Sequence, residues 1–246
     1  MSAIEFHERA RFPDGVTCAS RLCGLKPAGK DLSLFASDVD AAAAAVFTRN
    51  HFPGAPVILG RETIRAGVLR GIVVNSKVSN VGTGDRGLSD ARRMAAAAAG
   101  ELGTTADRIL VSSTGVIGVP LPIDRIEQGL VGMSAELQPD PLVGAEGIMT
   151  TDRHPKAVSG TIPGATRDVT LTWVAKGSGM IAPTMATMLC YVFTDARAGA
   201  AALDRMLRAV CEQSFNMLSV DSDTSTSDTC VVMANGLAGE DRKSVV

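Results

Sequence analysis

The chain has 246 residues, 46% of them apolar, and a formal net charge of -2, enough length and apolar side chain to fill one large domain or two small ones. Lysine and arginine are spread thinly, which excludes the charge footprint that neutralises nucleic-acid phosphates or anionic lipid, so the expected partners are small molecules or copies of the chain. Its charged opening (Glu5, His7, Glu8, Arg9, Arg11) is no signal peptide and no apolar run nears the ~20 residues of a membrane helix, so a soluble, cytoplasmic protein is expected.

In chain order, residues 32–37 and 44–48 predict two short strands, and Val57-Ile58-Leu59 and Gly71-Ile72-Val73-Val74-Asn75 repeat the pattern. Ser89 as an N-cap, a run of alanines and Gly100 as a stop predict a helix between them. A strand follows at 109–112 and a helix at 124–133, whereas the Pro/Gly-rich stretch 134–147 reads as a surface connection. Residues 169–175 and 191–194 predict strands, and Leu203, Met206, Leu207 and Val210 give 198–215 the spacing of an amphipathic helix. There is no internal repeat, and the texture by itself supports α/β or α+β. Cys18, Cys23, Cys190, Cys211 and Cys230 contain no C-x-x-C pair and read as reduced thiols, mostly buried.

Common chemistries find little footing. Only His7, His51 and His154 could serve as a histidine base, and no G-x-S-x-G elbow displays a serine. No His or Cys pair has metal-ligand spacing, so no metal is expected. Residues 221–225 faintly resemble a calcium loop, but Thr226 stands where glycine is needed and Val232 where the bidentate glutamate belongs. Gly82-Thr83-Gly84-Asp85-Arg86-Gly87 matches G-x-G-x-x-G between a strand and a helix, with Asp107 further on. Against a dinucleotide site, residues 75–80 interrupt the required tight turn, and Asp85 would face the pyrophosphate.

The segment from Lys176-Gly177-Ser178-Gly179-Met180 through Ala182-Pro183-Thr184-Met185-Ala186-Thr187 is unusual, because glycines, a proline and small residues lead into a hydroxyl that begins an apolar strand. A plain loop before a strand has the same composition. The functional reading is that Thr187 Oγ attacks the Ala186 carbonyl, shifts the acyl group from N to O, and water then frees an N-terminal threonine. Glycines permit a strained backbone, and Ala186 does not crowd the attack. The freed α-amine, with a pKa near ~7.7, can act as general base for its own hydroxyl without any histidine.

This segment resembles the self-cleavage site of the bifunctional ornithine/glutamate N-acetyltransferase family of arginine biosynthesis. In that family's image, Val111-Ser112-Ser113-Thr114-Gly115-Val116-Ile117-Gly118 resembles the oxyanion loop, with Thr114 and Gly115 as donors; as a bare sequence it is equally a strand-to-helix turn. Gly147-Ile148-Met149-Thr150-Thr151-Asp152 resembles the substrate loop, which makes Thr150 substrate-binding, and Lys176 is carried over as a cation near the substrate's carboxylate or acyl oxygen. The hydroxyl-rich stretch 215–229 matches as well, although alone it reads as a polar strand and turn. A departure stands at Asn75-Ser76-Lys77-Val78-Ser79-Asn80, where the family pattern is Asn-Ser-Gly-x-Ala-Asn. Lys77 there adds bulk and charge that bear on the choice of acyl donor.

The resemblance implies mixed β-sheets sandwiched between helices, an N-terminal-nucleophile-like self-processing fold, and an α chain (1–186) with a β chain starting at Thr187, assembled as a heterotetramer. It implies ping-pong transfer of acetyl from N-acetylornithine to glutamate through acetyl-Thr187, without a cofactor, and with acetyl-CoA as a donor in some members. Family members run well beyond this length, and residues 241–246 match one frame of a sequencing adapter, so natural sequence is expected to end near Glu240. Two rivals stay open at this point: an N-terminal-threonine aminopeptidase that passes the acyl group to water, and a non-enzymatic dinucleotide-binding domain.

Overall fold

A computed structural model describes residues 4–164, 167–180, 188–221 and 223–239. Among these, nine strands form one mixed sheet: β1 (Glu5–Phe6), β2 (Val16–Arg21), β3 (Leu32–Phe47), β4 (Val68–Asn75), β5 (Ile109–Ser113), β6 (Lys156–Ile162), β7 (Val169–Lys176), β8 (Leu189–Thr194) and β9 (Thr229–Ala234). Their order is β1-β6-β7-β8-β9-β3-β4-β5, with β2 paired to β3. Five helices accompany them: α1 (Ala55–Thr63), α2 (Gly84–Leu102), α3 (Ile123–Leu130), α4 (Pro141–Ile148) and α5 (Ala200–Glu212). Two neighbouring pairs, β4/β5 and β8/β9, are parallel. Parallel neighbours need a crossover, and α2 and α5 supply one each. The mixed sheet with helices on its faces agrees with the expected α/β class.

The expected strands at 32–37 and 44–48 are one strand. Between Ala36 and Ala41 its pairing with β4 shifts register, and exposed residues 38–40 bulge outward. The break in the apolar pattern is therefore a bulge inside β3 instead of an end. Its first half pairs with β2 and its second half with β9.

Val57-Ile58-Leu59 is helical, contrary to expectation. Three apolar residues carry no period of their own, and Pro56 in the first turn of α1 presets a helical φ. In α2, Ser89 is exposed and interior instead of capping, and the stop is Gly103, whose φ of 61° is left-handed, instead of Gly100. The helix starts earlier because Gly87 needs no room: a Cβ there would lie 1.9 Å from Thr83 Oγ1. The second half of the stretch read as a surface connection over 134–147 becomes α4, capped by Asp140, which accepts the Leu142 N–H at 3.1 Å. Its glycines serve close packing, since a Cβ on Gly144 would sit 2.4 Å from the Phe35 ring and one on Gly147 2.3 Å from Ser33 Oγ.

One apolar layer lies between the sheet and α4. At its heart Phe35 stacks on Phe193 with centroids 5.5 Å apart, and Phe12 meets Phe193 edge-on at 5.3 Å. On the opposite face α2 and α3 cover β4 and β5, while α5 covers β8 and β9 through Leu203, Leu207 and Cys211. All five cysteines are free; Cys23 is half-buried and the others are buried. No helix among the described residues is long and apolar enough to cross a membrane.

Candidate active site

A cavity of about 450 Å³ opens where several elements end, and Thr114, Gly115, Thr150 and Lys176 all line it. The first wall comes from the parallel strands β4 and β5. Asn75 closes β4 by accepting the Ser113 hydroxyl at 2.6 Å and donating its amide to Val78 O at 2.8 Å. Thr114 N–H donates to Asn75 O at 3.0 Å, Val116 N–H to Lys77 O at 2.9 Å, and Ser79 donates both N–H and hydroxyl to Val116 O. Two loops are thus stitched face to face.

Their contact fixes Gly115. Its φ is 134°, and a Cβ would lie 2.2 Å from the carbonyl carbon and oxygen of Lys77, so only glycine fits. The Thr114 N–H is already used, whereas the Thr114 hydroxyl and the Gly115 N–H donate to no other described residue. These two remain for a developing oxyanion. Lys77 itself is left-handed at φ 89°, a conformation that costs an L side chain roughly 1–2 kcal/mol.

The second wall joins the end of α4 to the end of β7. Asp152 accepts the Thr150 N–H at 3.2 Å and the Gly177 N–H at 2.9 Å, and it is ion-paired with Lys156. Burial would raise this carboxyl, but the hydrogen bonds from Lys156, Gly177 and Thr150 outweigh it and hold the group below the usual carboxylate range. Lys176 is only 3% exposed, and its ammonium reaches the Thr150 hydroxyl at 3.4 Å. Burial pushes it down to about 8, against the attraction of Asp152 and Asp228. A desolvated cation with one weak hydrogen-bond partner among the described residues can take a substrate carboxylate. Lys26 also lines the cavity, on a loop that Asp31 holds by accepting the N–H groups of Cys23, Leu25 and Lys26.

Ser225, Thr226 and Ser227 complete the lining ahead of β9. Loop 48–55 buttresses them: Thr48 Oγ donates to Ser225 O at 2.7 Å, Thr48 N–H to Asp228 O at 2.9 Å, and Gly54 N–H to Thr226 O at 2.9 Å. Asp228, 1% exposed, accepts the Met188 N–H at 2.9 Å with one oxygen, and its other oxygen has no hydrogen-bond partner among the described residues. Burial pushes its carboxyl up to about 7, against the Met188 hydrogen bond, the Ser225 hydroxyl and the charge of Lys176. Met180, which also lines the cavity, is left-handed at φ 60° and donates its N–H to Asp221 at 2.6 Å.

Ala186 and Thr187, the expected cleavage pair, lie outside the described residues. Gly82 to Gly87 do not line the cavity, although the strand-helix-strand unit expected around them is present as β4, α2 and β5. Asp228, Asp152 and Asn75 were not singled out from the sequence. For Asp152 a signal existed in its place beside Thr150; for Asp228 it was diluted among the hydroxyls of 219–229.

The ArgJ family model matches residues 17–245. The chain is 47% identical over 234 residues to the arginine biosynthesis bifunctional protein ArgJ of Symbiobacterium thermophilum, covering 94% of this chain and 58% of that protein. It is 44% identical over 229 residues to the ArgJ of Thermotoga neapolitana, covering 92% and 58%. The chain therefore spans somewhat over half the length of these curated relatives. Among solved structures, the argJ protein of Bacillus halodurans superposes with a TM-score of 0.71 at 32% identity, over 77% of this chain and all of that one. Ornithine acetyltransferase from Mycobacterium tuberculosis, solved with ornithine, gives 0.66 at 31%, over 76% of this chain and all of that one. An L-aminopeptidase D-Ala-esterase/amidase from Ochrobactrum anthropi shares the fold alone, with a TM-score of 0.54 at 13% identity. With the family match running over almost the entire sequence, and the two argued loops and Lys176 meeting in one cavity, the chain belongs to the ArgJ family.

Proposed function

We propose that this chain supplies the nucleophile and most of the acyl-binding cavity of an acetyltransferase that moves acetyl from N2-acetylornithine to glutamate. Thr187 is its acyl carrier after self-cleavage at Ala186-Thr187. The observation that carries the proposal is the meeting of Thr114, Gly115, Thr150 and Lys176 around one cavity, with Met180 lining it and Met188 tied to Asp228 on the two sides of residues 181–187.

In the proposed sequence the Thr187 α-amine takes the hydroxyl proton as Oγ attacks the acetyl carbonyl of N-acetylornithine. The Thr114 hydroxyl and the Gly115 N–H hold the oxyanion, and Lys176 holds the substrate carboxylate. Ornithine leaves as an amine with the proton returned to it, and the glutamate amine attacks acetyl-Thr187 to give N-acetylglutamate. The likeness to ArgJ proteins, bifunctional proteins of arginine biosynthesis, and to an ornithine acetyltransferase supports this reading. So does a length correspondence: two solved chains are matched end to end by about three quarters of this one, the share formed by residues 1–186. An α/β pair assembled as a heterotetramer is part of the same proposal.

Intact-mass measurement of the protein carrying this sequence at its relatives' length tests it. Two pieces divided before Thr187 are expected, and a single piece in Thr187→Ala; cleavage that persists in Thr187→Ala would refute the proposal.

A further inference from the structure

Lys77 pays a conformational penalty that a glycine would avoid, and the fold makes no visible use of its side chain. The loop's shape is held by backbone: Lys77 O accepts the Val116 N–H at 2.9 Å, and its carbonyl faces Gly115. No described residue forms an ion pair or hydrogen bond with the Lys77 ammonium. A residue kept in a strained conformation without a structural partner points to a ligand.

The surroundings say which ligand. Among the described residues, Lys26, Lys77 and Lys176 line the cavity and no aspartate or glutamate does, although Asp152 and Asp228 attract Lys176 from behind the wall. Lys176 is buried at 3% exposure, whereas Lys77 is exposed, so the positive charge sits at two depths. The Lys26 ammonium is already engaged with the carbonyls of Lys30 and Met149, each at 2.8 Å. That leaves one cation deep in the cavity and one at its mouth, suited to a ligand with an anionic group at each end.

We propose that Lys77 is a specificity-determining residue that makes the cavity favour a dicarboxylate amino acid, glutamate or its N-acyl form, over ornithine-type ligands whose side chain ends in an ammonium. It rests on the acyl-transfer reading for which end of each ligand lies deep: the α-carboxylate toward Lys176, the side-chain end toward Lys77. A side-chain carboxylate is attracted to the Lys77 ammonium and an ornithine ammonium is repelled, so the two KM values respond to this residue in opposite directions.

Lys77→Gly and Lys77→Glu, made in the protein at its relatives' length, test this. For Lys77→Gly the KM for glutamate is expected to rise about threefold and that for N-acetylornithine to fall by a similar factor, the scale of one partly solvated charge pair. Lys77→Glu moves both values further the same way, and added salt shrinks every difference. Because glycine suits the left-handed position, Lys77→Gly melts no lower than the wild type. Two KM values that stay put or move together would overturn the inference, and so would a lower melting temperature in Lys77→Gly, which would make the side chain structural. Calorimetric binding of glutamate and of ornithine, neither of which carries an acetyl group to transfer, reads the same preference without turnover. Failure of the wild type to transfer acetyl would therefore sink the acyl-transfer reading, while unchanged binding preference in Lys77→Gly would sink this one.

Discussion

At Gly115 backbone torsion and crowding combine: φ is 134°, and the Lys77 carbonyl occupies the place of any side chain. Gly115→Ala must push the two loops apart and misplace the N–H proposed to hold the oxyanion. Its kcat is expected to fall about a hundredfold, the loss typical of one oxyanion donor, with a much smaller change in KM; steady-state kinetics with N-acetylornithine decide. Asp228 makes a different prediction. Its carboxyl titrates at about 7 in the folded protein against 3.8 for an ordinary aspartate. Between those values the folded state holds the proton and the unfolded state has lost it. The stability this proton confers is complete below the unfolded value and is lost as pH rises through the window, at up to about 1.4 kcal/mol per pH unit. Asp228→Asn keeps an acceptor for the Met188 N–H but cannot titrate, so its denaturation midpoint should gain on the wild type between about pH 4 and about pH 7, then hold level. A constant difference across that range would contradict the burial argument. Thr114, Gly115, Thr150 and Lys176 were picked out through the resemblance of their local motifs to a family, and all four line the cavity. Asp228 was not, because its partner is a backbone N–H forty residues away in the chain, brought near only by the pairing of β8 with β9.

Among the elements, the placement of β8 and β9 has the largest consequence. Both follow Thr187 in the chain, yet they insert between β7 and β3, which precede it. Cleavage before Thr187 would therefore cut the chain without freeing an edge of the sheet, since β8 pairs along its whole length with β7 and β9 with β3. The two pieces are expected to co-elute in native gel filtration and to separate only in denaturant; separation under native conditions would contradict this topology. Strands with sustained alternation or β-branched runs, such as β4, β5 and β7, were visible in advance, as was α5 from its spaced apolar residues. What escaped was context-dependent. Glycines of α4 read as loop because the Phe35 ring and the Ser33 hydroxyl they accommodate are distant in sequence. Local composition likewise could not distinguish a bulge in β3 from a strand end.

Across the molecule, the cavity is assembled from points far apart in the chain, Lys26 near one end and Ser227 near the other, by a sheet whose strands end around it. Two buried ionisable groups stand at this end of the sheet, Lys176 near 8 at the end of β7 and Asp228 near 7 holding the Met188 N–H ahead of β8, while the Phe12, Phe35 and Phe193 rings pack the core. Such an arrangement places charge and strain at one location and stability elsewhere. In the proposed reaction Thr187 carries the acetyl group between donor and acceptor. The most direct test is the mass of the piece beginning at Thr187 after the protein is mixed with N-acetylornithine and no acceptor. A gain of one acetyl group at Thr187, discharged when glutamate is added, is the predicted result; acetyl transfer at full rate with Thr187 never acetylated would contradict it.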